Sequence, residues 1–140
     1  YLNEYYFKTM HHEFAHILNQ TKPFSTDFNA ISGPDYVTDT WSDAWDDDAD
    51  AQKNGFISAY ASSEANEDFV ELMSIYVTNP ASYWNNIIKN AGEGAAKINA
   101  KFEIVYNYML NSWNIDLNEL RDVIQERQAQ IGTLDLETLN

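Results

Sequence analysis

All three histidines of this chain fall between His11 and His16, in the stretch Met10-His11-His12-Glu13-Phe14-Ala15-His16. No other feature constrains the fold as much. Around it Phe7, Met10, Phe14, Ile17 and Leu18 recur at helical spacing, which predicts one helix from about Leu2 to Gln20. On that helix His12 and His16 lie one turn apart on the same face, with side chains about 5–6 Å from each other. Two imidazoles so placed can converge on one zinc ion at about 2.0–2.1 Å each. Phe14, Met10 and Ile17 project the opposite way, so the helix is expected to have an apolar back and a separate histidine front.

Glu13 follows the first histidine directly and points to the side, where it can hold a water in the open position of the metal. The pattern is His-Glu-x-x-His, in which zinc is the metal and the glutamate is a general base for peptide hydrolysis. A solvated helix face would show a similar stripe, so the motif and not the stripe carries the metal reading.

Catalytic zinc takes three protein ligands and keeps one position open. Positions 19 and 22 hold Asn and Lys, which rules out the extended motif with a third histidine, and the chain has no cysteine. A carboxylate therefore has to complete the set. The best source is the acid cluster in residues 60 to 77, in a helix predicted to start near Ser63 or Glu64 and to end at Asn79-Pro80. Two pairs there have the spacing of a ligand with a supporting acid, Glu64 with Asp68 and Glu67 with Glu71. Phe69, Leu72, Met73 and Tyr76 form the apolar stripe of this helix, and Glu67 and Glu71 lie opposite it. Acids also complement the dipole at a helix N-terminus, so spacing alone leaves both pairs open.

The segments resemble the gluzincin metallopeptidases, and in particular the lethal-factor-like catalytic domains. Those carry His-Glu-Phe-x-His and, further on, a Tyr followed by a Glu-x-Phe-x-Glu segment that opens a helix. Here Tyr60 precedes Glu67, and Glu67-Asp68-Phe69-Val70-Glu71 matches that segment. The resemblance implies His12, His16 and Glu67 as zinc ligands, Glu13 as base and Tyr60 as stabiliser of the oxyanion. It also implies Glu71 as an acid supporting a ligand, with Glu64 off the metal. More closely, "HHEFAHILNQ" with "GFISAYASSEANEDFVE" is similar to zinc-binding metallopeptidase lipoproteins encoded beside outer-membrane nutrient-import systems in gut-type bacteria. That likeness covers about residues 7 to 77 and extends more loosely over the helical C-terminal half. It implies a peptide or protein substrate, a cell-surface or outer-membrane lipoprotein setting for the parent protein, and the import machinery as a partner. In zincins a twisted sheet precedes the motif helix and its edge strand pairs with the substrate backbone. This chain starts at the helix, so the sheet is expected to be absent and the chain to be a piece of a longer protein.

The remainder reads as a mainly α single domain over residues 1 to 140. Residues 23 to 48 are loop-like, with Ser32-Gly33-Pro34-Asp35 as a turn. A short helix from Asp46 to Lys53 is followed by an extended stretch, Phe56 to Tyr60. Pro80 begins a helix through about Asn90. A long helix runs from Ala95 to Trp113, and Asp116 with Glu119 forms a capping box that opens a last helix to about Ile131.

A net charge of −14 excludes nucleic acid as partner, since nothing here neutralises phosphates. It also disfavours acidic substrates and anionic membrane surfaces. Asp46-Asp47-Asp48 invites a calcium-loop reading, but position twelve of the only loop with a correctly placed glycine is Ala61, so a solvated acidic loop is preferred. Trp41 and Trp45 are expected to pin their loop to the core or to line a subsite. His11 reads as a neighbour of the site. The function expected is zinc-dependent peptide hydrolysis, and the alternative is a zinc-containing module that binds peptide or glycan without turnover.

Overall fold

Helix α5 (Ala65–Thr78) runs through the centre of the molecule, and from Asp68 to Thr78 every one of its residues is buried. A helix covered on all sides needs partners around its whole circumference. In this computed structural model, which describes residues 2–133, those partners are α1 (Leu2–Thr21), α7 (Ala95–Trp113) and α8 (Leu117–Thr133). Shorter helices complete the chain: α2 (Asp27–Ser32), α3 (Trp41–Ala44), α4 (Asp48–Lys53) and α6 (Ala81–Asn90). The described residues contain no strand. The expected mainly α class holds.

The long helices fall where periodicity places them, and their ends have local causes. Asn114, in the left-handed conformation, closes α7, with Asn114 N–H bonding Leu110 O and Ile115 N–H bonding Met109 O. Asp116 opens α8 by accepting from the backbone N–H of Asn118 and Glu119.

Two expectations need correction. The stretch from 23 to 48 is not a plain loop, because Phe24 and Phe28 dock onto Phe69, with ring centroids 4.3 and 5.4 Å away, and fold α2 against the core. The stretch from Phe56 to Tyr60 is not extended to its end: Gly55 to Ser58 are buried together, Ala59 is already in the helical region, and a 3-10 turn, Tyr60–Ser63, follows at once. The apolar back of α1, for its part, faces away from the core. Met10, Phe14 and Ile17 are 55%, 44% and 58% exposed, and Tyr5 and Tyr6 also lie open, whereas His12, Ala15 and Leu18 are buried. The face that carries the histidines is the one that packs on α5. Leu18, assigned to the outer stripe, belongs to that inner face.

The acidic loop has a structural use. Asp47 caps α4 through Asp50 N–H, and Asp48 accepts from Ala59 N–H at 2.8 Å. Trp45 pins the loop by donating to Ser62 Oγ at 2.8 Å, while Trp41 packs edge-on against Tyr60.

At the start of α7 the chain passes against the end of α4 so closely that a Cβ on Gly94 would lie 2.0 Å from Gln52 O and within 2.8 Å of the Lys53 backbone. These are backbone atoms that cannot swing aside. Gly94→Ala is expected to destabilise by about 1–3 kcal/mol, the range for overpacking, as read from the urea midpoint. An unchanged midpoint would show that α4 is not held there.

Candidate metal centre

The centre is built where α1 crosses the first turn of α5. Because α1 turns its histidine face inward, both imidazoles meet acids that α5 presents one turn apart, Glu67 and Glu71. His12 Nε2 lies 2.9 Å from Glu67 Oε2, and His16 Nε2 lies 3.2 Å from Glu67 Oε1. The two Nε2 atoms are 3.2 Å from each other. Among the described residues these three form the one group of histidines and acids whose ligand atoms converge in this way.

The donor set fits zinc on two counts. Two imidazole nitrogens and one carboxylate oxygen make a catalytic-type set with one position left open. Ligands at about 2.0–2.1 Å in tetrahedral array stand about 3.3 Å from one another, and the three edges of the triangle that Glu67 Oε2 makes with the two Nε2 atoms are 2.9, 3.2 and 3.2 Å. Zinc would be held by His12, His16 and Glu67.

Glu71 lies behind His12. Its Oε2 is 3.0 Å from His12 Nδ1, and its Oε1 accepts from Ser58 Oγ at 3.0 Å and from Lys8 Nζ at 3.4 Å. A proton on Nδ1 directed at a carboxylate leaves the Nε2 lone pair facing the ligand cluster. Burial alone would raise the Glu71 carboxyl, but the hydrogen bond from His12, the Lys8 charge and Ser58 hold it below its ordinary value. Burial lowers His12, yet Glu71, Glu67 and Glu13 together raise it above the usual imidazole range. The two carboxylates nearest this ring face different nitrogens, Glu71 at Nδ1 and Glu67 at Nε2.

Of the two acid pairs that spacing left open, the structure brings Glu67 and Glu71 to the histidines. Glu64 is exposed at the start of α5 and joins no cluster. Asp68 points away to a buried partnership with Lys101 Nζ at 2.7 Å and Tyr36 Oη at 2.7 Å. Tyr60 packs against the His12 ring at 5.9 Å, with its hydroxyl near Glu67. Burial, followed by the nearby Glu67, pushes that hydroxyl up to about 12. It stays a proton donor at neutral pH. Glu13 is exposed, and with His12 and Tyr60 it lines an open cleft of about 320 Å³ along the first half of α1. His11 lies outside the cluster, stacked on Phe7 and lowered by burial.

Sequence reasoning missed Ser58 and Lys8 as partners of Glu71. Lys8 carried a signal, since it precedes His12 by one turn; Ser58 carried none. Lys101 was also missed, although it occupies a core register shared with Ile98, Val105 and Tyr108.

Residues 1–118 match the family described as "putative zinc-binding metallo-peptidase". The chain belongs to that family. A crystal structure of a "putative zinc-binding metallo-peptidase" from Bacteroides caccae is similar at 40% identity and a TM-score of 0.90, over 99% of this chain and 53% of that one. This member of the family therefore spans about half the length of that relative. No curated protein matches the chain.

Proposed function

We propose that the chain carries the catalytic centre of a zinc-dependent peptidase of the gluzincin type. The observation that carries this reading is the convergence of His12, His16 and Glu67 beside a cleft shared by Glu13 and Tyr60. Zinc bound by that set supplies Lewis acidity, lowering the pKa of water towards about 7. The Glu13 carboxylate takes the proton of the attacking water and hands it to the leaving amine nitrogen. The Tyr60 hydroxyl, which lies near Glu67, donates a hydrogen bond to the oxyanion that develops on the scissile carbonyl. Glu71 keeps the proton on His12 Nδ1 throughout. A module that only binds peptide would need neither Glu13 nor Tyr60.

The uncovered outer stripe of α1 and the greater length of the Bacteroides caccae relative support a division of labour in the longer protein. There the sheet expected from the resemblance lies outside this chain and positions the substrate backbone. Holding reactants in near-attack geometry is worth about 7–11 kcal/mol in the best intramolecular cases, so losing part of it costs orders of magnitude in rate.

The test compares the zinc-loaded longer protein with this chain on a broad peptide library. The longer protein is expected to cleave and this chain to cleave poorly. Glu13→Gln should lower cleavage by about 10²–10⁴-fold, and Tyr60→Phe by about 10²–10³-fold, both with zinc retained. Equal turnover by both chains would overturn the division of labour. A longer protein that holds zinc and cleaves nothing would favour the binding-module reading.

A further inference from the structure

Two hollows succeed one another along α1, with the metal ligands between them. The first is the cleft of Glu13 and Tyr60. The second, about 240 Å³, starts at His16 and is walled by Asn19 and Gln20 of α1, Thr26 and Asn29 of the following segment, and Asn66 of α5. Its apolar side is Phe24, stacked on Phe69 at 4.3 Å and so anchored to the core. In a chain with 22 acidic and 8 basic residues, its lining contains no ionisable side chain besides His16. Recognition there has to work by shape and by hydrogen bonds between neutral groups.

Asn19 indicates which neutral group. Both its Nδ2 and its Oδ1 are shut off from solvent and have no hydrogen-bond partner. An amide that is already desolvated and unpaired carries an uncompensated cost at each unsatisfied atom. That cost is recovered only by a group that donates and accepts at once. As it stands the amide is shut off from the hollow too, so it has to turn to meet an occupant, and it has no hydrogen bond to break in turning. The volume equals about eight waters at roughly 30 Å³ each, the size of one residue of a peptide. Asn66 borders the hollow and is the immediate neighbour of Glu67, so an occupant would stand beside the metal ligands.

We propose that this hollow is a specificity subsite of the peptidase, taking a carboxamide side chain, Asn or Gln, from a substrate residue next to the scissile bond. The inference rests on the peptidase reading and deepens it. Asn19 supplies the paired donor and acceptor, Phe24 packs against the methylenes, and the absence of charge disfavours Glu or Lys at that position. A site whose buried polar groups are left unpaired rejects an apolar isostere more strongly than an apolar pocket rejects a polar one.

The test is calorimetric titration of the zinc-loaded chain with zinc-chelating hydroxamates that differ only in side chain: N-acetyl-glutamine, N-acetyl-methionine and N-acetyl-glutamate hydroxamates, with acetohydroxamic acid as the reference. The glutamine probe should bind about tenfold or more tightly than the other two, one hydrogen-bonded pair being worth that much. In Asn19→Leu, normalised to acetohydroxamic acid on the same variant, the glutamine-to-methionine ratio should fall to about one. Asn19→Asp, which keeps the size and loses the donor, should lose the glutamine preference as well. A side-chain preference absent from the unmodified chain, or persisting in both variants, would overturn the subsite while leaving the metal centre standing. Failure of acetohydroxamic acid to bind at all would overturn the peptidase reading and the subsite with it.

Discussion

Glu67→Ala abolishes zinc retention, whereas Glu64→Ala leaves about one zinc per chain: that is the expected result of metal analysis after dialysis. The two glutamates sit within one turn of each other at the start of α5, and both were acids of the same cluster in the sequence. Only Glu67 has oxygens within 3.2 Å of both histidine Nε2 atoms. Removing it leaves two imidazoles, too few for a catalytic-type set. His12→Ala and His16→Ala should have the same consequence, and full occupancy in the double variant would sink the centre altogether. Glu71→Ala grades the argument. It leaves every ligand in place but removes the carboxylate on His12 Nδ1, and loss of such a partner costs about 10–100-fold in metal affinity. If Glu64→Ala proved the more damaging change, the register of α5 against α1 would be wrong.

The second large effect lies away from the metal. Lys101 and Asp68 are both wholly buried and pair at 2.7 Å. The ammonium also donates to Gly55 O at 2.8 Å and stands 4.2 Å from the centre of the Phe56 ring, while Asp68 accepts from Tyr36. Burial disfavours both charges, lowering Lys101 and raising Asp68 to about 6, and their mutual attraction only partly offsets it. Lys101→Met keeps most of the packing stem but strands a carboxylate in the core. Breaking a buried pair from one side costs about 3–5 kcal/mol, which urea denaturation should show as a large drop in midpoint. The paired change Lys101→Met with Asp68→Leu should recover much of that loss, because replacing both partners of a buried pair by apolar groups is often neutral. A single variant within about 1 kcal/mol of the parent chain would mean that the pair is not buried as described.

The histidine stripe, the acid pair on α5 and the ends of α7 and α8 were legible because each depends on spacing along one helix. What spacing cannot report is which face of a helix ends up inside. Met10, Phe14 and Ile17 read only as an apolar back opposite the histidines, and although apolar residues ordinarily seek the core they are the exposed side of α1. The inward side is chosen instead by Ala15 and Leu18 against α5, together with the match between the two imidazoles and Glu67. Choosing between the acid pairs needed the register of one helix against another, which no single segment encodes. Lys101 shows the converse failure. Its position in the apolar register of α7 was visible, but its partner lies on another helix and its acceptor on a turn, Gly55. The short helices between residues 23 and 48 were missed because six residues or fewer carry too little periodicity. The Phe24 and Phe28 anchors were visible there, but nothing local marks where they dock.

The outward stripe of α1 has a consequence for the metal itself. Two of the three candidate ligands, His12 and His16, ride on a helix that is covered on one side only, and the third on a helix enclosed by the core. Affinity of that set for an ion would therefore be coupled to the resistance of α1 to local opening. Whatever covers Met10, Phe14 and Ile17 tightens the grip on the metal, and filling the metal site strengthens the hold on the covering surface by the same factor. Reciprocity of that kind requires no contact between the two sites. It would make α1 the coupling element between whatever docks on its outer face and the candidate metal centre on its inner one.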